Sequence, residues 1–160
     1  MSAAAGSGRA ADVVIAGGGN IGLRLAESIE GKYQVKLIDC NPETTRRLSE
    51  LLGKSIVLLG DAADEELLLE ENIENTDVFC ALTNNDESNI MMSMLAKRHG
   101  AKKVITLITN PAYADLVARI AATDWLIDHV VYSQSGHTLA VATKLKETLA
   151  KAGETEEGET

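Results

Sequence analysis

Aromatic side chains are scarce in this chain: one Trp, one Phe and three Tyr among 160 residues. That excludes a core built on large rings and leaves Ala, Val, Ile and Leu to fill it, which suits a parallel sheet covered by helices. Cysteine is rarer still. Two of them, Cys40 and Cys80, do not make a disulfide framework and read as free thiols of a reducing cytoplasm. Basic residues are outnumbered, 15 Lys and Arg against 24 Asp and Glu, for a net charge of −9. No basic stripe offsets that charge, which excludes nucleic acid as a partner. No apolar run reaches the ~18 residues that a bilayer-spanning helix needs.

Catalytic and metal-binding patterns are missing too. The three histidines, His99, His129 and His137, stand in no metal-ligand spacing. No Ser or Cys sits in a nucleophile elbow. Neither a catalytic residue nor a metal ligand is therefore assigned, and the chain is read as a non-enzyme.

What is present is glycine in one place. The stretch Val13 to Gly22, VVIAGGGNIG, is a short apolar run, then Gly17-x-Gly19-x-x-Gly22, then the helical pattern Leu23, Leu25, Ala26, Ile29. Strand, tight turn and helix start follow one another. Gly17 lets the chain turn sharply, Gly19 lets a pyrophosphate approach the backbone, and Gly22 lets the helix pack close. The free N–H groups of the first helical turn, Asn20 and Ile21 included, point at the phosphates. A second apolar run ends in Asp39, 22 residues after Gly17, near the spacing of an acid that binds ribose hydroxyls.

Strands and helices alternate from there on. Strands are expected at about Asp12–Ala16, Gln34–Asp39, Ser55–Leu59, Asp77–Leu82, Lys103–Ile108 and Trp125–Val131. Helices are expected from Ile21 to Ile29 with Gly31 as cap, Pro42 to Leu52 with Asn41 as cap, Asp64 to Glu71, Glu87 to His99 with Gly100 as cap, after Asn110-Pro111, and Ser135 to Ala150. Residues 1–11 read as a flexible linker, 12–150 as the folded domain, and 151–160 as a disordered acidic tail. The pattern gives an α/β fold, a Rossmann doubly wound parallel sheet of about six strands, with ligand across the carboxyl ends where strand order reverses.

On that fold the turns after strands one to four share a crevice. Asp39 would accept from both ribose hydroxyls and repel a 2′-phosphate, which favours NAD over NADP. Asp61 and Ala62 would read an adenine edge, and Thr83 and Asn84 would lie by the second half of a dinucleotide. Plainer roles compete: Asp39 as a strand-end acid, Asp61 as a helix cap, Thr83 and Asn84 as turn formers. Glu87 and Asn89 read as first-turn helix residues, and Met91, Met92 and Met94 as core and interface.

GGGNIG, KLIDCNPE, GDAADEELLLEENI, DVFCALTNNDESNIMMSMLAKRHGAKKV and NPAYADL together resemble the RCK (KTN) domains of bacterial potassium uptake. The likeness is greatest to the second such domain of the Trk regulatory subunits, and it covers about Asp12 to Val117. The resemblance implies a cytoplasmic Rossmann domain, peripheral on the inner face of the membrane, that binds NAD(H) or in some members ATP or ADP. It implies a homodimer or ring that gates a membrane K⁺ channel or transporter. Gly17, Gly19, Asn20, Ile21 and Gly22 would form the phosphate turn, Asp39 the ribose contact, Asp61 and Ala62 the adenine wall, Thr83 and Asn84 the cleft lining. Strand six and the last helix would cross to a partner subunit and bury Leu139, Ala142, Leu145 and Leu149 there. Many such domains carry an Arg early in strand five where Leu107 stands here, so phosphate affinity would rest on backbone N–H groups. On residues alone, an oxidoreductase fragment and a dimerisation module with a vestigial nucleotide site remain open as alternatives.

Overall fold

The run Val13, Val14, Ile15, Ala16 is buried throughout, because strand β1 (Asp12–Ala16) sits mid-sheet with helices on both faces. The computed structural model describes residues 9–123, 126–133 and 138–154. Five more strands follow: β2 (Gln34–Asp39), β3 (Ile56–Leu59), β4 (Val78–Ala81), β5 (Lys103–Ile108) and β6 (His129–Tyr132). They form one sheet in the order β3-β2-β1-β4-β5-β6, and every pairing is parallel. Strand order reverses between β1 and β4, where Ile15 pairs with both Leu37 and Cys80. The expected doubly wound parallel sheet is the one observed.

The helices are α1 (Asn20–Ile29), α2 (Pro42–Leu51), α3 (Glu65–Glu70), α4 (Asp86–Arg98), α5 (Pro111–Thr123) and α6 (Thr138–Glu154). Alternation along the strands divides the core. Val13, Ile15, Leu37 and Cys80 meet Leu25, Ile29, Leu48, Leu145 and Leu149 on one face. Val14, Ile38, Phe79 and Val104 meet Leu68, Met92 and Ala96 on the other. Starts follow the caps read from sequence: the Asn41 side chain accepts from the Glu43 and Thr44 N–H groups ahead of α2, and Asp64 accepts from Glu66 N–H ahead of α3. Gly100 ends α4 at φ +110° with Glu74 close behind it, so a Cβ there would be strained as well as crowded.

Four expectations change. Gly31 is not a left-handed cap; α1 closes on a tightened turn in which Lys32 and Tyr33 N–H both donate to Ile29 O. A short 3₁₀ helix (Ile73–Asn75), which the sequence reading lacked, follows Asn72 at φ 55°. β6 begins at His129, and Ile127 is buried under α5 as part of a separate cluster with Ile108 and Val117; Trp125 lies outside the described residues. The last helix is described over Thr138–Glu154, four residues into the expected tail. Ala152 explains the extension: it is buried beside Leu145 and Leu149 and holds that turn down. Residues 1–8, Ser135 and 155–160 lie outside the description.

The fate of the last helix's apolar stripe also differs. α6 packs on α1 of its own chain, so Ala142, Leu145 and Leu149 are already buried. The reason is that α1 needs a cover for Leu25 and Ile29, and the crossover after β6 supplies one. Leu139 alone of the stripe is exposed, at 71%. Leu145→Ala should therefore destabilise the isolated chain by about 2–5 kcal/mol, while Leu139→Ala should stay within about 0.5 kcal/mol of the parent. Urea unfolding at low protein concentration measures both, and equal effects would refute the packing within one chain.

Candidate functional site

At the strand reversal, two stretches of backbone touch. Gly17 stands at φ +108°, and a Cβ on it would lie 2.9 Å from the Leu82 carbonyl carbon and from the Thr83 nitrogen. Its conformation and its neighbours both demand glycine. The turn is tied on the other side by Gly17 N–H donating to Ile38 O at 2.9 Å. A Cβ on Gly22 would overlap the Gly17 carbonyl oxygen, so the close approach expected of this glycine is to the turn itself. Gly19 differs: a Cβ there would meet nothing within 4 Å. It is the N-cap residue of α1, and no side chain caps that helix, whereas α2, α3 and α4 are capped by Asn41, Asp64 and Asn85. The first N–H groups of α1 are thus left for solvent or an anion.

Asp39 closes the turn from β2. Its carboxylate accepts from Gly18 N–H and from Asn41 N–H, both at 2.8 Å. It is the strand-end acid of the plainer reading, and each oxygen still keeps a lone pair for a ribose hydroxyl. Asp61 does not cap α3, since Asp64 does; it accepts from Ala63 N–H at 2.9 Å and shapes its own turn.

These turns converge on one cleft of about 230 Å³. Gly17, Asp39, Asp61, Ala62, Thr83 and Asn84 all line it, together with Cys40 and Met92. Gly19, Asn20, Ile21 and Gly22 do not line it: Gly22 is buried beneath the turn, Ile21 packs against the core, and Asn20 borders a neighbouring groove with Arg24 and Arg47. Thr83 is more constrained than a lining residue need be. Its N–H and hydroxyl donate to the Asn89 Oδ1 at 3.0 and 2.6 Å, and its carbonyl accepts from Asn89 Nδ2 at 3.0 Å. Asn89 is fully buried. Asp86, also buried, accepts from Thr109 N–H and hydroxyl and from Asn110 N–H, tying the start of α4 to the β5–α5 turn. Sequence reasoning missed both roles; the available signal was two amide or acid side chains just after a strand-end Thr, where a helix start leaves backbone groups to satisfy.

A family model for the TrkA-N domain matches residues 13–133. The chain belongs to the TrkA-N domain family. It is 63% identical over 105 residues to the Trk system potassium uptake protein TrkA of Halomonas elongata, covering 66% of this chain and 23% of that protein. The chain thus spans about a quarter of that relative's length. Among solved structures, the GsuK channel bound to NAD superposes with a TM-score of 0.64 at 18% identity, over 76% of this chain and 21% of that one. A Kef C-terminal domain from Shewanella denitrificans in its AMP-bound form superposes at 0.62 with 17% identity, over 91% of this chain and 94% of that one. At such identities the two structures bear on the fold.

This TrkA-N domain lacks a cation from β5 at its cleft. Leu107 is buried, its side chain in the core, and its carbonyl accepts from Asn89 Nδ2 at 3.0 Å. Among the described residues no group of three or more His, Cys, Asp or Glu could hold a metal ion, and no helix is long and apolar enough to cross a membrane. The two cysteines part company. Cys40 is exposed on the cleft, whereas Cys80 is buried in β4 and burial pushes its thiol up to about 12.

The glycine geometry separates folding from binding. Gly19→Ala should keep the fold to within about 1 kcal/mol, whereas Gly22→Ala, which must displace the Gly17 carbonyl, should cost about 3 kcal/mol or more; denaturant midpoints decide between them. Native protein at pH 8 should release colour from a disulfide reagent rapidly for Cys40 only, with Cys80 reacting after unfolding. Fast reaction of both thiols would refute the burial of β4.

Proposed function

We propose that this domain binds an adenine nucleotide, NAD(H) foremost, and that binding regulates a potassium uptake system. The observation that carries this is the convergence of the Gly17 turn, Asp39, Asp61 with Ala62, and Thr83 with Asn84 on one cleft at the strand reversal. Phosphate would sit over Gly19 on the uncapped start of α1, where glycine leaves open space. With Leu107 in the core, backbone N–H groups would supply most of that contact. Asp39 would take the ribose hydroxyls, and its charge would disfavour a 2′-phosphate. ADP or ATP would use the same ribose and adenine contacts and leave the Thr83 side of the cleft empty.

The regulatory part of the reading rests on the relative named as a potassium uptake protein and on the NAD-bound channel with this fold. Its physics is a population shift. A nucleotide touching several turns at once would bind one subunit arrangement better than another and so favour it. A tenfold preference supplies about 1.4 kcal/mol per site, and the sites of a dimer or ring add. The partner would be a membrane K⁺ channel or transporter subunit, and the domain would work in the cytoplasm against the inner face of the membrane.

Thermal midpoints with NADH, NAD⁺, NADPH, ATP and ADP, each in excess, test the cleft. Ligand at about 100 times its dissociation constant stabilises by about 2.7 kcal/mol, a clear shift. NADH or NAD⁺ should raise the midpoint more than NADPH, and Asp39→Asn should narrow that difference. A shift with ATP or ADP alone would keep a regulatory nucleotide and change its identity. No shift with any of them would sink the reading in favour of a scaffold with a vestigial site.

A further inference from the structure

We propose that Asn89 is the positioning residue of the nucleotide cleft, its buried carboxamide holding the Thr83 turn in the shape a nucleotide meets. The proposal rests on the nucleotide reading above and extends it to a residue outside the cleft wall. A carboxamide has two acceptor sites and two N–H donors. Asn89 uses all four: it accepts from the Thr83 N–H and hydroxyl and donates to the carbonyls of Thr83 and Leu107. Three of those bonds return to one residue.

The place of this clamp explains its need. The β4–β5 ladder ends with Ala81 opposite Thr106. Beyond that pair the β4–β5 ladder stops, which leaves the next backbone groups along this edge without a ladder partner. Asn89 stands there and bridges Thr83 to Leu107. On its far side, the Leu82–Thr83 peptide lies against Gly17. Thr83 is therefore wedged between the phosphate turn and a side chain from α4.

The clamp also settles what Thr83 can offer. Its one hydroxyl hydrogen goes to Asn89 at 2.6 Å in preference to the Asn85 carbonyl at 3.2 Å, and Asn85 N–H donates back to the same oxygen at 3.2 Å. Thr83 has no donor left for a ligand. Its contribution is the contour of the turn and the placing of Asn84, and Asn89 sets both. Deleting the carboxamide would leave the Thr83 N–H and the Thr83 and Leu107 carbonyls without their partner, and the hydroxyl with only the longer contact to the Asn85 carbonyl. The turn would then rearrange to reach water, and the space available to it is the cleft.

The test is titration calorimetry with NAD⁺ and with ADP on the full chain, for the parent, Asn89→Ala, Asn89→Asp and Ser93→Ala. Each is measured well below its unfolding midpoint. Ser93 is the matched control: it is fully buried on the same helix and accepts from the Thr106 hydroxyl at 2.6 Å, inside the core. Asn89→Ala should weaken binding about tenfold or more, and the Thr83 amide should lose its protection from hydrogen exchange. Asn89→Asp, which keeps the acceptor for Thr83 and donates from one oxygen when protonated, should recover part of the affinity; it carries the test if the alanine variant does not fold. Ser93→Ala should lower the midpoint and leave affinity unchanged. Equal affinity in parent and Asn89 variants, or an equal loss in Ser93→Ala, would overturn the proposal. A parent that binds neither nucleotide would overturn the cleft reading itself, and this inference with it.

Discussion

The structure depends on a close approach of backbones at the point where strand order reverses. Gly17 lies against the Leu82–Thr83 peptide, and Gly22 lies under the Gly17 carbonyl. Add one methyl group at either position and α1 must lift from the sheet or β4 must move off β1. The rest of the site follows from that proximity. Because the turn is pressed onto β4, Asp39 can reach Gly18 N–H from β2, and Thr83 stands where Asn89 can hold it. Dispersion and hydrophobic burial build the domain, but a steric allowance of about one carbon atom gives it a cleft.

Much of the fold was legible because each element announced itself in a different way. β1 reads from four consecutive apolar residues, since a strand covered on both faces has no polar side to show. α2 reads from Asn41-Pro42-Glu43, where cap, fixed φ and charge agree. The residues expected as strand-end punctuation, Gly17, Asp39, Asp61, Thr83 and Asn84, all come to one place.

What could not be read was decided across the chain. The stripe on α6 is the same whether it covers a partner or α1, and periodicity says only that something covers it. Ala152 carries no pattern strong enough to extend a helix into an acidic tail. β6 was misplaced because Ile127 looks like strand but is buried beneath α5. Asn89 and Asp86 look like ordinary polar residues of a first helical turn; only the tertiary fold brings the Thr83 and Leu107 backbone groups to Asn89 and the Thr109 and Asn110 N–H groups to Asp86.

The standing of β1 in the sheet has a consequence for how the domain moves. The strand is hydrogen-bonded on both edges and roofed on both faces, so its amides reach solvent only when the whole sheet opens. The floor of the cleft is thus among the last parts of the molecule to loosen, while the turns after β2 and β3 open locally at lower free energy; the turn after β4 is held by Asn89. A ligand lying across such a site would have two firm footholds, the floor and the Thr83 turn, and two yielding ones. Any strain it imposed would fall on those two yielding turns.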